Sequence, residues 1–321
     1  MRAPVAHVLV TGGLGFIGSR LSLALLEEGL AVRVVDDLSG SYSAGTGPAA
    51  RAALAERGAE VIVEPAEPDH ARGTDAVIHL AALPGVRTRR SPEELRASNV
   101  DLAAGLALAA AERSARFLLV SSSSVYGDAA ELPTPEHAPA APLNAYAESK
   151  VAAEAAVLAS GGDAVIVRPF TVYGPGQRPE MAFARWIDAL GAGDPVPWHA
   201  PPGTARDFTY VGDAVAGIVA ALRRGRPAEA YNLSGWRPVD LLEALELLAG
   251  PERAEVRELP SVAAEACRTH GCGRKAAAEL GYAPKVDLAT GLERQLAAVS
   301  PSSLCPSRGP SRGRPPRRLA A

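Results

Sequence analysis

The sequence predicts an α/β protein, with a doubly wound parallel sheet in its first half and a smaller α/β lobe after it. Three observations predict this. Short runs rich in Val, Ile and Leu alternate with longer Ala/Leu/Glu-rich segments up to residue 168, a glycine-rich turn joins the first run to the first helical segment, and Arg168-Pro169 marks a change to helical pieces separated by Pro/Gly loops. Strand then helix, repeated, gives parallel strands with both faces of the sheet covered.

The apolar runs at 7–10, 31–36, 60–63, 76–80, 117–120 and 164–167 are short and nearly continuous, as strands buried on both faces are. Segments 16–28, 93–113 and 145–159 have helix-forming composition and length, and Asn144 is a good N-cap for the last. Beyond residue 168, segments 181–190, 213–223 and 239–248 read as helices between loops and short strands. The predicted organisation is a first domain over 1–170, to which later segments can return, a substrate lobe over 171–299 and a tail over 300–321. That tail holds Ser, Pro, Arg and Gly without apolar periodicity, so disorder is expected and its five arginines read as part of a solvated terminus.

Apolar residues make up 47% and charged residues 21%, an ordinary globular balance. A net charge of -3 lacks the basic footprint of nucleic-acid binding, which favours small-molecule partners. The first ten residues run straight into a strand without the apolar region of a secretory signal, so a cytoplasmic location is expected. The longest helical apolar stretch, 103–111, lies between Asp101 and Glu112 and is too short for a membrane span, which needs ~20 residues. Cys267, Cys272 and Cys305 are an odd number, against a disulfide framework, and Cys267 and Cys272 flank His270 at no zinc spacing, so no metal is expected.

Thr11-Gly12-Gly13-Leu14-Gly15-Phe16-Ile17-Gly18 follows the first strand and opens the first helix. Glycines there permit a tight turn, close approach of backbone N–H groups to a pyrophosphate, and close helix–strand packing, while the helix N-terminus favours the anion. This is the Rossmann arrangement. Asp36, ending the second strand, is placed to accept hydrogen bonds from the adenosine ribose and to repel a 2′-phosphate, so NAD is expected over NADP, with Asp37 the alternative for the same role. Leu80, Ala81 and Ala82 end the fourth strand, where open α/β sheets bind ligands, and the small side chains leave room for the cofactor.

Tyr146 and Lys150 are four residues apart at the start of a helix, so both lie on one face. A neighbouring ammonium favours the phenolate, making Tyr146 a general base. The fifth strand runs directly into Ser121-Ser122-Ser123-Ser124-Val125-Tyr126-Gly127, which places hydroxyls at the same edge of the sheet.

TGGLGFIGS, VVDDLSG, HLAALPGVR, SSSSVYG, YAESK, RPFTVYGPGQRPEM and RDFTYVGD, in this order, resemble the extended short-chain dehydrogenase/reductase family, specifically its nucleotide-sugar epimerases and dehydratases, from Val8 to about Ala298. The resemblance implies a homodimer through segments 93–113 and 145–159, and a reaction in which Tyr146, assisted by Ser122, takes the sugar 4-OH proton while C4 gives hydride to NAD, forming a 4-keto sugar. Arg206 matches the position that contacts the nucleotide diphosphate, and Arg87 in the GVR segment falls on the substrate side.

The branches of that family differ beside Ser122. Its 4,6-dehydratases carry an Asp-Glu pair where this chain has Ser123 and Ser124, and its UDP-glucuronate decarboxylases carry Glu at Ser124, whereas an epimerase needs no extra carboxylate. The stretch 168–185 is most similar to UDP-glucuronate 4-epimerases, which makes Thr171 and Arg185 expected ligands of the sugar carboxylate and Ser123 a further substrate contact. The expected reaction is therefore C4 epimerisation of UDP-glucuronate to UDP-galacturonate, with a UDP-hexose 4-epimerase, a UDP-glucuronate decarboxylase and a non-catalytic NAD-binding scaffold as alternatives. Two stretches depart from the pattern: Glu64-Pro65-Ala66 replaces a Gly-Asp loop at the adenine, and 269–275 lacks the usual sequence and the Pro-Gly-Asp turn before it, leaving Arg257 and Arg268 as candidates for a second diphosphate arginine.

Overall fold

The computed structural model describes residues 5–40, 42–43, 45–84, 90–250, 254–260 and 264–299. Arg87 and the 300–321 tail lie outside the described residues.

Six strands arise where the apolar runs stand: β1 (His7–Thr11), β2 (Ala31–Val35), β3 (Glu60–Ile62), β4 (Ala76–His79), β5 (Arg116–Val120) and β6 (Ala164–Pro169). A seventh, β7 (Ala230–Leu233), returns from the second half of the chain to pair with β6. All pairings are parallel and the order is β7-β6-β5-β4-β1-β2-β3, the doubly wound sheet that the alternation predicts. Winding reverses between β1 and β4, with Thr11 in register with both Val35 and His79. In such sheets the crevice at the reversal, outside the C-terminal strand ends, is where ligands bind.

Alternate residues of each strand enter opposite cores. Val8, Val10, Val34, Ile78 and Val167 pack under α1 (Phe16–Glu27), α2 (Pro48–Glu56) and a helix from the second half, Val211–Arg224, while Leu9, Val35, Val77, Phe117 and Ile166 pack under α3 (Leu102–Glu112) and α4 (Ala145–Ala159). Full burial of each such side chain stabilises by ~1.5–3 kcal/mol, so both layers hold the strand ends rigidly.

The segment 93–113 departs from the continuous α-helix its composition predicts. One turn, Pro92–Leu95, is capped by Ser91, a π-helical stretch follows over Arg96–Asp101, and α3 begins only at Leu102. Asn99, inside the π stretch, is buried with its amide turned inward. By contrast α4 spans the predicted residues, and Asn144 Oδ1 accepts from Ala147 N at 2.9 Å as a cap should.

The second lobe contains α5 (Ala182–Ala192), α7 (Leu241–Ala249), α8 (Leu288–Ala297) and short strand pairs, the Val211–Arg224 helix (α6) remaining on the sheet. Its core is aromatic: Tyr173, Phe183, Trp186 and Phe208 pack with Val239, Leu245 and Leu292.

Candidate active site

The turn after β1 is built for close approach. Gly12 has φ 69°, and a Cβ there would stand 2.7 Å from the Ala81 amide nitrogen; at Gly18 a Cβ would stand 2.1 Å from the Gly12 carbonyl oxygen. Neither position admits a side chain. Gly15 caps α1 without a side-chain acceptor and the first turn, beginning Phe16-Ile17, carries no acidic residue, so the first N–H groups of the helix are open to an anion. Across the crevice, Leu80 N donates to Thr11 O at 3.1 Å, and Ala81 lies against Gly12, with Ala82 next in the chain.

Asp36 is buried, its carboxylate accepting from Leu14 N at 3.0 Å, Leu38 N at 3.0 Å and Tyr42 OH at 2.7 Å. It is thereby tied to the glycine turn. Asp37 instead is exposed and accepts from Ser39 within its own turn, so Asp36 is the carboxylate that faces the nucleotide cradle. Glycine turn, open helix end and buried carboxylate together fit an adenine dinucleotide.

At the other side of the crevice, Ser122 caps the 3-10 turn Ser123–Tyr126, accepting from Ser124 N at 3.1 Å, and hydrogen-bonds the Tyr146 phenol. Burial pushes that phenol upward; the charge of Arg178 and then the Ser122 bond pull it down. Arg178 is thus a cation that acts on Tyr146 besides the Lys150 that spacing points to. Lys150 is 3% exposed and donates to Val120 O at 3.2 Å, and burial pushes its ammonium down to about 8 against the opposing charge of Glu154. No carboxylate stands at positions 123–124, and the Ser124 hydroxyl is buried without a hydrogen-bond partner among the described residues.

Two contributors carry no motif in the sequence. His79 Nδ1 lies 2.7 Å from Thr11 Oγ1, and burial followed by the charge of Lys150 holds its imidazole down to about 3, hence neutral. Asn99 joins the loop after β4 to α4: its Oδ1 accepts from Leu83 N at 2.7 Å, and its Nδ2 donates to Leu83 O at 3.1 Å and to Ser149 Oγ at 2.9 Å, which in turn donates to Tyr146 O. π-helical turns often occur at functional positions because they re-aim one residue, and here the residue re-aimed is Asn99. Polarity inside a helix was the only sequence signal for it.

Of the expected substrate ligands, Thr171 stands just beyond Phe170 after the end of β6 at Pro169, its carbonyl accepting from Thr209 N at 3.0 Å. Arg185 sits on α5 facing His199 Nε2 at 3.4 Å and lines a surface pocket with Asp188, Asp194 and Arg257, whereas Arg178, seven residues earlier, pairs with Glu180 at 3.1 Å and is a positive charge that acts on the phenol. The preceding residues do not continue α5 backwards, since that helix starts only at Ala182, so Arg178 stands on the loop before it. Arg206 is largely buried, donating to Cys267 O at 3.1 Å and pairing with Glu265 at 3.4 Å. Ala264 takes φ 79° immediately before Glu265, so the chain turns there although the Pro and Gly expected of such a turn are missing. Arg257, a candidate for the second diphosphate arginine, lines the same pocket as Arg185. Among the described residues no cluster of three or more His, Cys, Asp or Glu could hold a metal ion, Cys267 and Cys272 are free, and no helix is long and apolar enough to cross a membrane.

The model of the NAD dependent epimerase/dehydratase family matches residues 8–234. The chain is 32% identical to the Bacillus subtilis (strain 168) protein called uncharacterized UDP-glucose epimerase YtcB, covering 91% of this chain and 98% of that one. It is also 32% identical to a dTDP-glucose 4,6-dehydratase of Streptomyces griseus, over 91% of this chain and 93% of that one. Among solved structures, UDP-glucuronic acid 4-epimerase from Bacillus cereus in complex with UDP-glucuronic acid and NAD superposes with a TM-score of 0.85 at 32% identity, covering 91% of this chain and 98% of that one.

Proposed function

This chain belongs to the NAD dependent epimerase/dehydratase family, and we propose that within it the enzyme interconverts UDP-glucuronic acid and UDP-galacturonic acid by inverting C4 through a transient 4-keto sugar. The observation that carries this reading is a site whose 123–124 positions hold hydroxyls and no acid or base, beside a Tyr146 phenol on which the positive charge of Arg178 acts. A cation whose charge is felt by the base that works at C4 is one that a sugar carboxylate on C5 would meet.

NAD, held in the cradle of Gly12, Gly18 and Asp36, supplies the acceptor for the C4 hydride and returns it. Tyr146 takes the 4-OH proton and gives it back, with the Ser122 hydroxyl orienting the phenol and Arg178 favouring the phenolate. Lys150, buried beneath, adds positive charge along the same helix face. The 4-keto form of a glucuronate is a β-keto acid, which loses carbon dioxide when its carboxylate bond aligns with the carbonyl π system. Arg178 and Thr171 would hold the carboxylate out of that alignment, a guanidinium fork suiting the task. Arg206 would meet the diphosphate in exchange for Glu265. Ser123 and Ser124 offer no acid for loss of water and no carboxylate for a decarboxylation. The exposed Leu108 on α3 and Leu158 on α4 support a homodimer through those helices, and free cysteines suit a cytoplasmic enzyme.

The test is to incubate the purified protein separately with UDP-glucuronate and UDP-glucose and to resolve product sugars by chromatography. UDP-galacturonate from the first is expected. Turnover of UDP-glucose alone would replace this reading with a neutral-hexose epimerase, and a pentose product with a decarboxylase.

A further inference from the structure

Behind the catalytic pair runs a buried ionic network with no part in the proton transfers above. Glu154 lies one helical turn beyond Lys150 on α4 and is 7% exposed. Its Oε1 accepts from Ser121 Oγ at 2.5 Å and from Arg168 Nε at 2.9 Å, and its Oε2 accepts from Arg168 Nη2 at 2.6 Å. Arg168 Nη1 then donates to Tyr126 OH at 2.7 Å and to Glu136 O at 2.9 Å, and Tyr126 OH donates to Asn232 Oδ1 at 2.7 Å. One carboxylate thus bolts α4 to the ends of β5, β6 and β7.

A buried ion pair of this kind is weak evidence for stability, since desolvating both charges offsets much of their attraction. Its position suggests another purpose. Ser121 precedes Ser122, which touches the phenol, and Val120, whose carbonyl receives Lys150, precedes Ser121. The bond from Ser121 to Glu154 therefore fixes the strand end against the helix that carries Tyr146 and Lys150.

We propose that Glu154, held in place by Arg168, is a positioning residue whose carboxylate keeps the buried Lys150 ammonium protonated and at a fixed distance from the Ser121–Ser122 strand end. The inference rests on the reading of Tyr146 and Lys150 as the catalytic pair. The charged and titratable groups around Lys150 are His79 from β4, Tyr146 and Glu154 from α4, and, behind Glu154, Arg168 from β6. His79 is neutral, so Glu154 is the group whose negative charge opposes the effect of burial on Lys150. Arg168 tempers that charge.

The chain contains three lysines, Lys150, Lys275 and Lys285, so the ε-carbon of Lys150 can be followed by NMR on lysine-labelled protein with NAD bound and no substrate. Glu154→Gln removes the favourable charge and leaves Arg168 unpaired, so the Lys150 midpoint should fall by ~1 pH unit or more. Arg168→Gln leaves the carboxylate unpaired, so the midpoint should rise. Glu154→Asp, which keeps the charge, should stay near wild type. Opposite shifts in the first two variants are the expected result, and the sign in whichever of them folds decides the matter alone. A folded Glu154→Gln protein with the wild-type midpoint, or a downward shift in Arg168→Gln, would overturn the proposal. Since the readout needs no sugar, a wrong assignment of substrate would leave this test unaffected.

Discussion

Thr11 Oγ1 and His79 Nδ1 lie 2.7 Å apart across the two strands that flank the point where the sheet reverses its winding. The imidazole is neutral in the fold, held down to about 3 by burial and by Lys150. An unfolded histidine protonates near ~6.5, so the unfolded state binds the extra proton first and stability falls as pH drops from about 6.5 towards about 3. This residue alone should remove about 2 kcal/mol between pH 7 and pH 5. Urea unfolding at the two pH values checks it: His79→Asn should flatten the dependence, and a slope equal to wild type would show that His79 does not carry it.

The cradle tolerates no side chain at Gly18, where a Cβ would lie 2.1 Å from the Gly12 carbonyl oxygen. Gly18→Ala should leave a protein that purifies with little or no nucleotide and binds added NAD at least ~10-fold more weakly, since the clash moves backbone that the pyrophosphate needs. Nucleotide released by acid and quantified by chromatography gives the answer, and full occupancy would contradict the assignment.

Asp36 should set the choice of cofactor. Replacing it with Ala removes acceptors used by Leu14, Leu38 and Tyr42 as well as the ribose site, and hydrogen bonds to a charged group are worth ~1.5–3 kcal/mol. NAD affinity should fall ~10-fold or more while NADP is no longer repelled. Titration with each nucleotide would expose an error if the ratio of the two affinities were unchanged.

The fold was legible because period and punctuation agree: continuous apolar runs between helical segments can only form a covered parallel sheet, and the glycine turn locates its ligand edge. What eluded the pattern has a physical cause in each case. β7 is four residues, Ala230–Leu233, too short to stand out from the loops around it. The π stretch around Asn99 depends on tertiary contacts with Leu83 and Ser149 rather than on composition. His79 looks like any polar residue at a strand end until Lys150 and Thr11 are seen beside it. Ser122, Tyr146 and Lys150 were readable from motif and spacing, and the structure brings them together. Pattern does not separate Arg185 from Arg178, because an arginine on an amphipathic helix looks the same whether it faces solvent or a ligand, and only the start of α5 at Ala182 puts Arg185 on the helix and Arg178 on the loop before it.

The two arginines can be separated by experiment. Arg178→Met should lower turnover of UDP-glucuronate ~10-fold or more, in line with losing a hydrogen bond to a charged group of the substrate, while Arg185→Met should stay within ~3-fold of wild type, as for an arginine on a surface pocket. Steady-state rates on UDP-glucuronate decide, and the reverse order of sensitivity would make Arg185 the carboxylate ligand.

The central claim is that the Tyr146 phenol, bonded to Ser122 and influenced by Arg178, moves the sugar proton while the cofactor stays in its cradle. Tyr146→Phe measures it most directly, with bound NAD quantified after acid release and turnover assayed on the same preparation. The predicted result is wild-type NAD content with turnover reduced ~10²–10⁴-fold, the range for loss of a general base. Turnover at the wild-type rate in a fully loaded Tyr146→Phe protein would contradict it.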